Sequence, residues 1–418
     1  MKTNTNILIK NLLFLLPLAG LWLLGCERFD KYKGVKEVTP VTVSVDMHVI
    51  RDIDEPMPPN MTVRFTNAKE NLVTEVTSDA SLKVTAQGLV PGIYTITAYS
   101  AYNDGVRVWR YSGSAGTSQM LVEEKAHFDI DVKIGRTGPL AIKELFYSGS
   151  RMPGNTYYYD QFYEIYNNSE STVYLDSLCI SIIFPLTATP TLPIWNDPDW
   201  EQYVYAASAC FQVPGNGTDY PLEPGESIIM AQLGINHQLP ENNPTSPVNL
   251  ISAEFEFWRF TATFPVDQPA INMEQVWGNP PNPAWLTTVM GGAFVIFRQT
   301  GPVDRNFTAV TTDAPTVQHL KIKRKDVIDA VECVNNTSVL ANKRMPVELD
   351  AGATTVGGTY NTLSVVRKVD YVRSNGTYVF QDTNNSTDDF EVMTPEIRRY
   401  NPKIPKWNTW HSLDPQFP

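Results

Sequence analysis

Histidine and cysteine are scarce in this chain, with five of the first and four of the second among 418 residues. There is no Cys-x-x-Cys pair, and His48, His127, His237, His319 and His411 are scattered without metal-ligand spacing, so no zinc site is indicated. A Gly-x-Ser-x-Gly elbow, a phosphate loop and a dinucleotide fingerprint are also missing. A glycosidase would need two carboxylates facing one cleft, which a sequence cannot place. No catalytic residue, metal ligand set or cofactor follows from the residues. Basic residues are outnumbered, 33 Lys and Arg against 45 Asp and Glu, for a net charge of −12. Such a chain repels phosphate, which argues against nucleic acid as a partner. Long apolar runs are confined to Leu12–Leu24, too short for a permanent membrane helix.

That run has the makings of a leader. Lys2 and Lys10 precede it, and Leu23-Leu24-Gly25-Cys26 closes it with a small residue before a cysteine. The pattern is a lipobox. It predicts a signal peptide over 1–25, lipidation at Cys26 and a tether over 26–39. Asp is absent right after Cys26, which favours export to an outer membrane and a place at the cell surface. Which leaflet face carries the protein is open. Asp176-Ser177-Leu178 matches a three-residue O-glycosylation pattern at Ser177. Cys179 and Cys210 flank one segment and either form a disulfide or serve as small buried apolar side chains.

The remainder reads as all-β. Val41, Val43, Val45 and Met47 alternate with polar residues, as do Met61, Val63 and Phe65. Further short alternating runs at regular spacing predict an antiparallel sandwich over 40–135. A Gly/Pro joint follows, then a second sandwich over 136–393 with long insertions near 184–214 and 234–286, and a Pro-rich tail over 394–418. The second sandwich is organised around Leu140–Leu178, where Phe162, Ile165, Val173, Leu175 and Leu178 are the expected inward set. The tail either packs along the sandwich or docks on a partner.

The insertions are rich in aromatics and stiffened by prolines. Trp195, Trp200, Trp258, Trp277 and Trp285, with Tyr158 in the first hairpin connection, are candidate contacts for a glycan or a protein partner. The competing reading makes them a satellite core beneath the loops. Asp382, Asn384, Ser386 and Asp388 alternate like calcium donors. Thr387 and Met393 nevertheless stand where such a loop needs Gly and Glu, so an Asx-turn network is the alternative. Lys321–Lys325 reads as a solvated strand edge.

Two resemblances add to this. Gly88-Leu89-Val90-Pro91-Gly92-Ile93-Tyr94 resembles the strand-entry turn of transthyretin-like and carboxypeptidase-regulatory-like sandwiches, with Gly92 expected at positive φ. Ala141–Phe146, Gln161–Ser169, Tyr220–Met230, Gly291–Phe297, Val327–Val331, Ser364–Lys368 and Asp382–Phe390 resemble, in order, an immunoglobulin-like lamin-tail-like domain. The whole is similar to an uncharacterised group of Bacteroidota lipoproteins, the DUF4876 type. Members tend to be encoded beside TonB-dependent transporters. The resemblance therefore implies a non-enzymatic accessory of such a transporter in nutrient capture. A stand-alone glycan-binding lipoprotein and a structural adhesin are the alternatives.

Overall fold

The computed structural model describes residues 39–51, 55–67, 69–103, 108–116, 118–135, 137–278, 285 and 287–417. The leader, Cys26 and all of the tether but its last residue lie outside the described residues. Among the described residues the protein is all-β, with only short helical turns between strands.

Eight strands build the first unit: β1 (Val41–Ile50), β2 (Thr62–Asn67), β3 (Leu72–Thr77), β4 (Lys83–Leu89), β5 (Gly92–Asn103), β6 (Val108–Ser114), β7 (Gln119–Leu121) and β8 (Lys125–Gly135). They hydrogen-bond in the order β3-β2-β5-β6-β8-β1-β4, with β7 added to β5. Inward residues from both ends of this path, such as Phe65 and Val84, share one core. One continuous sheet therefore curls over a single apolar centre. The pairing is antiparallel with one exception, because β1 and β8 run parallel. Leu89 and Tyr94 are buried beside the β4–β5 turn, and the Tyr94 hydroxyl donates to the Val90 carbonyl at 2.8 Å. Gly88, not Gly92, holds the positive φ, +77°. Gly92 is required for space, since a Cβ there would meet the Asn67 amide nitrogen at 2.5 Å.

From Leu140 on, two seven-stranded sheets face each other. One places the strands Ile271–Asn272, Phe255–Glu256, Ser227–Ala231, Phe162–Asn167, Leu140–Phe146, Ser364–Arg367 and Phe390–Met393 side by side. The other runs Thr308–Ala309, His319–Lys323, Tyr203–Gln212, Cys179–Ile183, Ala293–Phe297 and Val327–Glu332, with Glu274–Gly278 also on Tyr203–Gln212. Ile165, Tyr163, Phe211, Phe294 and Trp285 fill the space between them. The Tyr203–Gln212 strand lies inside the segment read as the first insertion and is central to its sheet.

Central strands here are buried on both faces, not one. Leu140–Phe146 and Phe162–Asn167 have no exposed residue. A third cluster forms outside the second sheet, around Val204, Phe297 and Met345. A fourth, around Phe146, Phe162 and Ile229, forms outside the first. Ile165, Val173, Leu175 and Leu178 join the central core as expected, whereas Phe162 faces the opposite way. Phe162 and Ile165 are three apart, and a period of two puts them on opposite faces.

A β-bulge between Glu164 and Ile165 leaves Lys143 as an extra residue between Ile142 and Glu144. This points Lys143 and Glu144 out of the same face. The Lys143 ammonium lies 2.8 Å from Glu164 and donates to the Arg399 carbonyl at 2.5 Å. The tail covers this polar patch. Arg398 pairs with Glu254 at 2.7 Å, Asn408 donates to the same carboxylate, and Trp407 and Trp410 hydrogen-bond to Pro221 and Ala253 carbonyls.

Candidate functional site

The groove of most interest lies where the two units meet. Its volume is about 550 Å3. Lys133 and Ser114 line it from the first unit. Phe184, Trp195, Trp200, Tyr203, Tyr205 and the segment 343–348 line it from the second. The chain leaves the Cys179–Ile183 strand at Phe184, makes a long excursion and re-enters the sheet at Tyr203. Both aromatic ends of that excursion are thereby delivered to one rim. Trp195 stacks on Tyr205 with ring centroids 3.5 Å apart, and its edge meets Phe184 and His319. One face of Trp195 is therefore occupied. Trp200 is 46% exposed.

Most charge around the groove is paired, while Lys343 donates to the Met345 carbonyl. Asp197 accepts from the Tyr205 hydroxyl at 2.8 Å and pairs with Lys321 at 2.8 Å. Burial pushes its carboxyl upward, but these partners outweigh burial and hold it below the usual range. Glu348 takes Arg324 at 2.6 Å and Lys133 of the first unit at 3.5 Å. Burial likewise opposes ionisation there and the neighbouring cations win, so this carboxyl too is lowered. Lys321 is no solvated edge residue, since its ammonium lies 4.0 Å from the Tyr203 ring centre and its strand is paired on both sides. Arg344 braces the wall from beneath. It pairs with Glu332 at 2.7 Å and donates to the carbonyls of Leu186 and Cys333. Across the boundary, Arg64 of β2 grips Asp388 at 2.8 Å and Ser112 of β6 donates to the Val347 carbonyl at 2.9 Å.

The predicted contact residues do not form one row. Trp195 and Trp200 share the groove. Trp285 is 1% exposed, packed in the central core against Tyr163, Phe211 and Phe257, and is not a contact residue. Trp277 is half-buried beside the outer cluster of the second sheet. Trp258 is half-buried and donates to the Phe264 carbonyl at 3.1 Å. Tyr158 stacks near Tyr159, whose ring lies 4.8 Å from Phe264. The tyrosine run thus rests on a neighbouring loop. Cys179 and Cys210 are buried and unbridged, which is the small-apolar-side-chain reading of the pair and not the disulfide. Their positions are offset on adjacent strands, Cys179 opposite Gln212 and Cys210 opposite Ser181. Ser177 is half-exposed at φ +61° on the edge of a wider depression of about 990 Å3. The adjoining Asp176 is committed to the amides of Gly217, Asp219 and Tyr220. In that depression Arg305 is spent on the carbonyls of Gln275 and Val276, and exposed Tyr174 is its aromatic lining residue.

The Asp382–Asp389 run follows the Asx-network reading. Arg367 faces Asp329, Asp382 and Asp389, and Asn385 accepts from the Thr387 amide. The histidines are less scattered than their numbers suggest. Parallel pairing of β1 and β8 brings His48 and His127 to one exposed face with Asp46 and Asp129. No spacing rule reveals this, because the two strands are far apart in the chain.

A crystal structure of a DUF4876 family protein from Bacteroides thetaiotaomicron is 38% identical, with a TM-score of 0.63, over 89% of this chain and 100% of that one. The major pilin subunit of Bacillus cereus, at 10% identity over 69% of this chain and 97% of the pilin, has a TM-score of only 0.15 and carries no argument. No curated protein matches. The family model described as protein of unknown function (DUF4876) matches residues 223–397. The chain belongs to the DUF4876 family.

Proposed function

We propose that this protein is a non-enzymatic, lipid-anchored binding protein of the outer-membrane surface. It acts beside a TonB-dependent transporter in nutrient capture, and the groove between its two units holds the cargo or partner. The observation that carries the groove is the pairing of stacked Trp195 and Tyr205 with exposed Trp200 at a junction between units, where ligand sites favour concave aromatic walls. The membrane address rests on the lipobox at Cys26 and the transporter on the family resemblance. A hydrolase is disfavoured because Asp197 and Glu348, two acids at the groove, are shifted the same way, downward, by Lys321 and Tyr205 and by Arg324 and Lys133, and so do not form an acid–base pair of opposed proton affinities. A stand-alone glycan binder is also disfavoured, since the five tryptophans form no planar row. The test is affinity purification of the tagged lipoprotein from solubilised outer membranes, with mass spectrometry of what accompanies it. A stoichiometric TonB-dependent barrel, lost when Trp200 and Tyr203 become alanine, is the expected result. Recovery of the protein alone would overturn the transporter role.

A further inference from the structure

A second cluster of chemically able side chains lies on the first unit, among residues that do not line the groove. Of the five histidines, His237 and His319 are buried and His411 is half-buried. The two exposed ones, His48 and His127, stand on neighbouring parallel strands. The register sets Ser44 opposite His127, Asp46 opposite Asp129 and His48 opposite Asp131. Alternation points all six side chains out of the same face. The His48 Nε2 lies 3.0 Å from one Asp129 oxygen, and the His127 Nε2 lies 3.6 Å from the other. Ligand atoms of Asp46, His127 and Asp129 all fall within 4.8 Å of one another.

We propose that Asp46, His48, His127 and Asp129 form a site for a divalent transition metal of the zinc and copper class. The donor set suits it, because imidazole nitrogens favour these ions over magnesium or calcium and two carboxylates balance the charge. Around an ion bonded at about 2.0–2.2 Å, tetrahedral neighbours lie about 3.3 Å apart. Asp46, His127 and Asp129 already gather their ligand atoms, whereas His48, 3.0 Å from the other Asp129 oxygen, must swing inward to complete the set. The Asp46 carboxylate must draw inward and give up Lys83, which now pairs with it. A second observation concerns the far side of His127. Its Nδ1 lies 2.9 Å from the Ser44 hydroxyl, which itself reaches the Ala126 carbonyl at 3.4 Å. With that hydroxyl donating to the carbonyl, it accepts from Nδ1–H. The tautomer is then fixed with the Nε2 lone pair facing the carboxylates, the outer support that metal-binding histidines use.

The test is titration of the tag-free, metal-stripped protein with Zn2+, followed by calorimetry. One equivalent is expected. His48→Gln and His127→Gln should each weaken binding at least about 10-fold, Ser44→Ala should weaken it by about the same factor, and Lys83→Ala should strengthen it. Absence of saturable binding, or binding that survives the double histidine variant, overturns the proposal. Should those variants fail to fold, Cu2+ electron paramagnetic resonance of the unaltered protein decides it. Coupling to two nitrogens supports the site, and coupling to none refutes it.

Discussion

Lys143 has no exposed surface, and its charge is answered by Glu164 at 2.8 Å inside the covered face of the sheet. Removing one member of such a pair leaves the other charged and dry. Lys143→Ala should therefore cost about 3–5 kcal/mol, seen as a lower urea midpoint at unchanged slope. Glu256 offers a pH reading at the same scale. Burial raises its carboxyl from 4.5 to about 7. Its folded form holds the proton longer than its unfolded form, so its contribution is complete below pH 4.5 and is lost as pH rises through about 7. Glu256→Gln should remove that share, flattening the fall in stability between about pH 4.5 and 7 by up to about 1.4 kcal/mol per pH unit. Chemical denaturation at several pH values measures it. A slope unchanged by the substitution would show that Glu256 is already ionised in the fold.

At the scale of elements, the tail from Thr394 is a structural cover. Arg398 and Asn408 reach Glu254, the Glu396 amide reaches Glu144, and Ile397 closes the outer cluster. Truncation before Thr394 uncovers Glu144, Glu164 and Glu254 together with Phe146 and Phe162. The expected loss is on the order of 5 kcal/mol or more, read as insolubility or early proteolysis of the second sandwich. The sequence made most strands of both units legible because alternation and turn residues are local signals, but Tyr203–Gln212 and Glu274–Gly278 lie in segments read as insertions. It also allowed the tail to be either cover or free arm, since Arg398 and Glu254 meet only through tertiary packing. The aromatic candidates divide the same way. An indole in a loop reads identically whether it ends in the core, as Trp285 does, or on a rim, as Trp200 does. Lys143 and Glu144 read as part of an amphipathic strand, and only the bulge reveals that both turn to one buried face.

For the whole molecule, the junction between units decides whether the groove has a fixed shape. Arg64 at Asp388, Ser112 at Val347 and Lys133 at Glu348 are its polar fastenings. Arg64 is also braced by Glu75 and lies over the Tyr99 ring. Arg64→Ala should leave each core intact while loosening the junction. Hydrogen exchange at 343–348 should then rise several-fold, with core amides of both units unchanged. Equal loss of protection throughout would mean that the units share one cooperative transition.

The contact between Lys143 and Arg399 joins residues 256 positions apart. A ribosome makes the Leu140–Phe146 strand long before it makes the segment that neutralises and covers it. During synthesis, and during any threading across a membrane, the growing polypeptide holds a lysine and two glutamates that no completed lid yet shields. The second sandwich should therefore finish late and all at once, and its half-made forms should depend on chaperones that bind unfolded chains.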